Sequence, residues 1–479
     1  MISKNTAQNL TIFNAVPCKI YGLVKVHKIG YPLRPIVSSV QSPFYNLSKY
    51  FGRVLSKVVG LTENNVKNSY EFVDFLKSQT VPQDFVLASF DVVSMYTNIS
   101  IKLALDVISK KWEVIAPHTT LPKDEFMYGI KSCLESTVFQ FGNGFYKQIN
   151  GLAMGGPVSA VVANLVLEYF EEEVLRSLPY KLQFYKRFVD DVVLSCHKDD
   201  LKAILEFFNN FCPDIQFTVE HEKNNSLNFL DVTIFKFQGK FITSWFTKPS
   251  FSGRYLNFLS VQPFYQKVNV VKNLATRVCL LTHPIHRKKQ IKVAKDLLYQ
   301  NCYPPLLEDS VFKNVIFSCY NGSPPRRARV ESDFVVLPYL SSVSEKLRCS
   351  LKTHDIGTVH SNDSRLGFQP SVKAKTKKEK MSNVVYQIPC NDCPKVYIGQ
   401  TSQYVHKRMG GHKFNSKEVT ALKQHVNNER HSFDFDDVKI LCHEESLLVR
   451  LNLESLNILK QENAVNTRGE LKFFEDYLV

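Results

Sequence analysis

Apolar positions along the chain follow two rhythms. Runs rich in β-branched and aromatic residues predict short strands, and i, i+3, i+4 spacing between them predicts helices. Phe44, Leu47, Phe51, Val54 and Leu55 predict a helix with one core-facing side within Pro43 to Val58. The run Phe85 to Phe90 predicts a strand that ends at Asp91, and helical spacing resumes from Ile101. Gly142 and Gly144 mark a hairpin turn between Thr137 to Phe141 and Phe145 to Ile149. Gly151, Gly155, Gly156 and Pro157 then open a helix of small and apolar residues that includes Ser159, Ala160, Ala163 and Asn164. At Tyr185 to Ser195, YKRFVDDVVLS, apolar residues flank Asp190 and Asp191 on both sides, which predicts two strands meeting at or near a hairpin turn. A helix is expected around Leu201, Ile204, Leu205, Phe207 and Phe208, followed by strands at Ile215 to Val219 and Asn228 to Phe235. Tyr255 to about Gln300 reads as helical. From Asn321 to Lys380 the pattern loosens into a linker holding one ordered piece, residues 335–347. Two short strands follow, VVYQI (384–388) and KVYIGQT (395–401), separated by PCNDCP. A helix carrying Arg408 and His412 one turn apart comes next, and another spans Glu445 to Lys460 with Arg450 and Glu454.

A chain of 479 residues is long enough for two or three domains with separate cores. The 60 Lys and Arg exceed the 45 Asp and Glu, and the net charge of +15 points to a polyanionic partner such as nucleic acid. In the Tyr255–Gln300 region, Lys267, Lys272, Arg277, His286, Arg287, Lys288, Lys289 and Lys292 interleave with Phe258, Phe264 and Tyr265. That mixture suits a surface tracking a nucleic-acid backbone, and equally a solvated helix face. No apolar run reaches the roughly 18 to 20 residues of a membrane span, and the opening MISKNTAQNLTIF lacks the apolar core of a secretory signal. Eleven cysteines, an odd number scattered singly, point to a reducing compartment; only Cys390 and Cys393 form a close pair.

Adjacent carboxylates repel and raise one another's pKa unless a cation lies between them, so Asp190 and Asp191 are candidate metal ligands. Asp is also favoured at ordinary turn tips. Asp91, at a strand end, is either a partner in chemistry or a helix N-cap. Tyr96, five residues on, offers a flat ring suited to lying under a sugar. Lys25, His27, Lys28 and Arg34, spaced along a segment stiffened by Pro32 and Pro35, could hold a triphosphate or form a solvated basic edge. Small residues from Gly151 onward would let another backbone or a base pair come close. In the last hundred residues a Glu, an Arg and two Tyr could supply a metal ligand, a phosphate clamp and a proton acceptor. Arg450 and Glu454 also fit a plain helical salt bridge.

KVHK with LRPIVSS, SFDVVSMYTNI, GLAMGGPVSAVVAN, RFVDDV, NFLDVTI, and the pair VVYQI and VYIGQT occur in this order. In these motifs the chain resembles the reverse transcriptases of Penelope-like retroelements, a group similar to telomerase catalytic subunits. Its C-terminus resembles the GIY-YIG endonucleases that many such elements carry. The resemblance implies an α+β fold: a right-hand polymerase followed by a small α/β GIY-YIG nuclease domain. Fingers and palm would occupy residues 1–240, the thumb 241–320, a linker 321–380 and the nuclease 381–479.

By the same resemblance, Asp91, Asp190 and Asp191 would bind two Mg²⁺, and Arg34, Lys25 and Lys28 would contact the incoming triphosphate. Tyr96 would be the steric gate against a ribose 2′-hydroxyl, and Gly151, Gly155 and Pro157 would shape the base-pair pocket. In the nuclease, Tyr386 and Tyr397 match the motif tyrosines, Arg408 and His412 the helix at the scissile phosphate, Glu454 the single Mg²⁺ ligand and Asn466 a late active-site Asn. Cys390 and Cys393 look like the family's inserted metal-binding motif, and with His425 and His431 a Cys₂His₂ zinc site is chemically reasonable. The sequence distance from Cys393 to His425 far exceeds the roughly 12 residues of a compact finger, so only the fold could join them. The expected partners are template RNA, primer and target DNA and deoxynucleoside triphosphates, with no membrane, and the expected location is nuclear. Val24, Val384 and Val385 depart from the family pattern. The short stretch ahead of the first motif leaves a 5′-truncated or catalytically silent nucleic-acid-binding relic as the alternative. A telomere-associated polymerase priming on chromosome ends is a further one.

Overall fold

In the computed structural model, residues 10–12, 14–25, 30–321, 334–340, 343–361, 377–414 and 420–466 are described. Strands β1 (Cys18–Val24) and β2 (Leu33–Ser38) form an antiparallel hairpin, Lys19 opposite Ser38 and Val24 opposite Leu33. The next strand, β3 (Phe85–Val92), belongs to a different sheet. The hairpin of β4 (Val138–Phe141) and β5 (Gly144–Lys147) turns at Gly142, φ +58°, and adds parallel to β1. Then β6 (Leu182–Phe188), β7 (Asp191–His197) and β8 (Phe217–His221) join β3 in a four-stranded antiparallel sheet of order β6-β7-β3-β8.

This second sheet is half-covered because its strands alternate. Phe90 and Val92 of β3 face a helical layer while Asp91 between them stays exposed. The layer comprises helices Tyr45–Leu55, Ile101–Lys110, Lys123–Glu135, Ser159–Ser177 and Leu201–Phe211. Ser100 caps the second of them, its hydroxyl accepting from Leu103 N–H at 3.2 Å. The fully buried Phe90 ring lies 5.7 Å from Phe208 and 6.1 Å from Phe217, so the strand carrying Asp91 is pinned by aromatic packing.

The apolar run expected as one strand from Asn228 to Phe235 is two: β9 (Ser226–Phe229) and β10 (Val232–Phe237). Leu230 takes φ +51° and the chain reverses so that Val232 faces Phe229, a tight turn without Gly that apolar composition conceals. With β11 (Lys240–Trp245) they form a three-stranded sheet whose apolar face packs on helices Ser69–Lys77, Phe264–Leu281, Pro284–Gln300 and Pro305–Asn321 in a second core. Helical structure begins at Phe264, not Tyr255: residues 254–257 are irregular and 258–262 are turn and bend. The expected linker holds more order than one piece. Strands β12 (Phe334–Pro338) and β13 (Gly357–Ser361) pair in parallel, joined through helix Val343–Lys352. Arg348 of that helix stacks over the Tyr265 ring at 5.1 Å.

At the C-terminal end, β14 (Val384–Pro389) runs antiparallel between β15 (Val396–Thr401) and β16 (Lys439–His443). Helices Val405–Phe414, Ala421–Glu429 and Leu447–Lys460 complete the unit. It touches the chain's beginning: Tyr404 Oη donates to Ala15 C=O at 2.6 Å and Gln41 Nε2 to Glu445 Oε1 at 3.0 Å. All eleven cysteines are free thiols. Among the described residues, no helix is long and apolar enough to cross a membrane.

Candidate functional site

The expected hairpin at RFVDDV is present, and its register decides the site. Phe188 pairs with Asp191 across the turn, leaving Val189 and Asp190 at the tip. On the other side of β7, Asp191 is directly opposite Asp91 of β3, and Val92 N–H donates to the Asp190 carbonyl at 3.3 Å. Asp91 and the adjacent pair Asp190 and Asp191, far from it in sequence, therefore meet at one end of one sheet. Burial, then Asp190, then Asp91 push the Asp191 carboxyl up to about 6, with Lys248 opposing them. Crowding of this kind is relieved by a divalent cation, and three carboxylates with no neutral ligand suit a hard ion such as Mg²⁺.

Tyr96 lies on the short helix Met95–Asn98 just after β3. Its phenol is half-buried and pushed up by burial and then by Asp190, while Arg34 acts in the opposite direction. Tyr96 thus lies within electrostatic reach of both Asp190 and Arg34, the latter exposed on β2. Lys25 is half-buried at the mouth of the β1–β2 hairpin, its N–H bonded to Pro32 C=O at 2.9 Å. Lys28 lies outside the described residues.

The GLAMGGP segment threads between these parts, backbone against backbone. Leu152 N–H donates to Tyr96 C=O at 2.5 Å, and Val37 N–H of β2 to Met154 C=O at 2.7 Å. Gly151 (φ +74°) leaves no room for a side chain: a Cβ would stand 2.5 Å from Thr97 O. At Gly155 (φ +116°) it would stand 2.6 Å from Val37 O. Pro157 packs its carbonyl against the Tyr45–Leu55 helix, where a Cβ on Gly52 would be 3.2 Å away. These glycines join β2 to the Tyr96 turn.

In the C-terminal unit, Tyr386 is fully buried on β14 opposite Gly399 of β15, where a Cβ would come within 2.8 Å of the Tyr386 Oη. That Oη is 2.7 Å from His412 Nε2 and accepts from Arg408 Nε at 3.3 Å. The Tyr397 and His412 rings are 5.4 Å apart. Burial, then Arg408, holds the His412 imidazole down at about 4, so it is neutral near pH 7. Asn466 clasps β15, Oδ1 accepting from Ile398 N–H at 2.9 Å and Nδ2 donating to its carbonyl at 2.8 Å. Glu454 lies half-buried on helix Leu447–Lys460 and acts on Arg450 through charge. Arg450 also takes part in a larger network. Arg450, 1 % exposed, donates to Gln400 Oε1 at 2.9 Å and Glu444 C=O at 2.7 Å, and also bonds Ser402 Oγ.

Cys390, Cys393, His425 and His431 converge as the spacing required. Their candidate ligand atoms all lie within 4.8 Å of one another, with Cys393 Sγ 3.4 Å from His425 Nε2 and His431 Nδ1 3.3 Å from it. Tetrahedral zinc at ordinary bond lengths requires ligand separations of roughly 3.3–3.8 Å; these two separations lie in that range, and the Cys₂His₂ donor set suits Zn²⁺. The strand turn after β14 delivers the cysteines, and helix Ala421–Glu429 delivers His425.

Two residues near the aspartates escaped sequence reading. Lys248, beyond the end of β11, acts on Asp191 from far along the chain, and no local pattern marks it. Arg187 immediately precedes the apolar Phe188 and Val189. A lone Arg in a strand of buried residues was the available signal.

Residues 27–261 match the family model described as reverse transcriptase (RNA-dependent DNA polymerase), and residues 254–318 match the one described as animal helix-turn-helix domain. Similar solved structures include telomerase from Candida albicans with a TWJ fragment of telomeric RNA, at 11% identity and TM-score 0.44, covering 64% of this chain and 56% of that one. Apo telomerase from Candida tropicalis is 11% identical at TM-score 0.40, covering 65% and 61%. The RNA-dependent RNA polymerase of a human picobirnavirus is 13% identical at TM-score 0.40, covering 66% and 67%. The chain spans 56% and 61% of the length of the two telomerases. No curated protein matches it. The chain carries a reverse transcriptase domain, and the three aspartates lie within it.

Proposed function

We propose that this chain is the two-enzyme protein of a Penelope-like retroelement: an RNA-directed DNA polymerase that extends a DNA 3′-hydroxyl, joined to a GIY-YIG endonuclease that nicks target DNA. The observation that carries the polymerase reading is the β3–β7 register, Asp91 opposite Asp191 with Asp190 on the adjoining turn. Asp91, Asp190 and Asp191 would hold two Mg²⁺, which when bound activate the primer hydroxyl and neutralise the departing pyrophosphate. Arg34, with Lys25 and Lys28, would receive the triphosphate; Tyr96 would exclude a ribose 2′-hydroxyl; Gly151, Gly155 and Pro157 would form the floor under the new base pair. Residues 1–240 would serve as fingers and palm and 241–320 as a basic thumb on the template–primer duplex.

In the nuclease, residues 381–479, the reading is supported by the Arg408–Tyr386–His412 chain of contacts. Arg408 and neutral His412 would contact the scissile phosphate, and Tyr386 and Tyr397 would take up the proton of the attacking water. Glu454 would hold a single Mg²⁺. Zinc on Cys390, Cys393, His425 and His431 would brace the turn between the motif strands. The protein would work in the nucleus, with template RNA, target DNA and deoxynucleoside triphosphates as partners.

The test is extension of a DNA primer on an RNA template with Mg²⁺. The wild-type chain should extend it, and Asp190→Ala should lower the rate by about 10³-fold or more, the loss expected when a metal ligand is removed from the reacting atoms. Equal extension by both would remove the polymerase assignment, and no extension by either would favour the silent relic.

A further inference from the structure

The tip that presents Asp190 is built on an unfavourable backbone. Val189 has φ +57°, a conformation that a β-branched residue rarely adopts, and its side chain is 36% exposed, so packing does not hold it there. Across the sheet the tip has one long backbone bond, Val92 N–H to Asp190 C=O at 3.3 Å.

From the opposite side the tip is held by a buried cation. Arg187 is 1% exposed, and its Nη1 donates to the Val189 carbonyl at 2.8 Å and to Asn164 Oδ1. The rest of the guanidinium is fixed by helix Ser159–Ser177: Nε donates to Glu171 Oε1 at 2.7 Å, and Nη2 is 3.7 Å from Glu168 Oε1. Both carboxylates are themselves buried, at 2% and 3% exposure, and Glu168 Oε1 also accepts from Gly60 N–H at 2.6 Å. The Arg187 backbone is tied on the other edge, its N–H to Asn64 C=O and its C=O to Val66 N–H, each at 2.8 Å. A planar fork can address the turn carbonyl and the helix together, which the single ammonium of Lys cannot do.

We infer that Arg187 is a positioning residue: its guanidinium, anchored by Glu171, Glu168 and Asn164, clamps the Val189 carbonyl and thereby fixes the turn that carries Asp190 beside the Asp91–Asp191 pair. This rests on reading the three aspartates as a metal site. An ion pair serving only the core would use the carboxylates and leave the turn carbonyl to solvent. The contact with Val189 C=O separates the two roles.

The experiment is titration of the full chain with Mn²⁺, read by electron paramagnetic resonance, which requires no turnover. Asp190→Ala defines the loss of the site. Arg187→Lys should bind Mn²⁺ about 10- to 100-fold more weakly, the range for loss of a group that orients a ligand, while primer–template affinity stays unchanged. Val189→Gly, which adopts positive φ without strain, should restore part of the Mn²⁺ affinity in the Arg187→Lys background. Glu171→Gln keeps the packing and loosens the Nε anchor; it should weaken Mn²⁺ binding several-fold and decides the matter if Arg187→Lys does not fold. Wild-type affinity in a folded Arg187→Lys, or in Glu171→Gln when that variant decides, would overturn the clamp. So would an Arg187→Lys defect untouched by Val189→Gly. Wild type and Asp190→Ala binding Mn²⁺ alike would instead overturn the metal-site reading, and the clamp with it.

Discussion

The Asp191 carboxyl sits where metal-free protein is least comfortable. Burial and the neighbouring Asp190 and Asp91 push it up to about 6, above the roughly 3.9 of an unfolded Asp. The folded state therefore binds this proton more tightly than the unfolded state does. Its contribution to stability is present at low pH and is lost as pH rises from about 4 to about 6. In chelator-treated protein, wild type should lose roughly 1–2 kcal/mol relative to Asp191→Asn across that window, allowing for solvent screening of a half-exposed group. Saturating Mg²⁺ should remove the difference. Thermal melts at stepped pH measure it, and parallel profiles for the two proteins would show that Asp191 carries no such strain. At the same scale, Arg450 does more than a pair at helical spacing suggests: it is buried, feels the Glu454 charge and also donates to Gln400, Ser402 and the Glu444 carbonyl.

Among the elements, the hairpin and the metal-binding turn both work by joining residues that are distant in sequence. The β6–β7 turn was legible because apolar runs flank Asp190 and Asp191, and the β4–β5 turn because Gly142 and Gly144 punctuate it. What could not be read was pairing: nothing local puts β3 beside β7, and the register Asp91 to Asp191 is a tertiary fact. The β9–β10 turn at Leu230 and Asp231 was hidden because apolar residues occupy a position that usually takes Gly or Asn. The cysteine pair was legible, while its two histidines needed helix Ala421–Glu429 to bring them within reach. One zinc per chain is expected by elemental analysis of protein purified without chelator, falling to near zero in Cys390→Ser. Because zinc would tie the β14–β15 turn to that helix, the variant should also unfold its C-terminal unit at lower temperature. Equal zinc content in both proteins would remove Cys390 from the site.

On the scale of the whole molecule, the strongly basic chain offers two concentrations of candidate chemistry: carboxylates at one end of the β6-β7-β3-β8 sheet, and the Tyr386–His412–Arg408 group on the β15-β14-β16 sheet. The C-terminal unit is tied to the chain's beginning, since its Tyr404 and Glu445 bond Ala15 and Gln41, which flank the β1–β2 hairpin. The account depends most on the aspartates being a metal site. Its most direct measurement is anomalous diffraction from crystals grown with Mn²⁺, an RNA template paired to a DNA primer and an unreactive deoxynucleoside triphosphate analogue. Two Mn²⁺ peaks about 3.5–4 Å apart, bound by Asp91 and Asp190 and bridging to the nucleotide phosphates, are predicted. A nucleotide bound elsewhere, or no Mn²⁺ between those carboxylates, would contradict it.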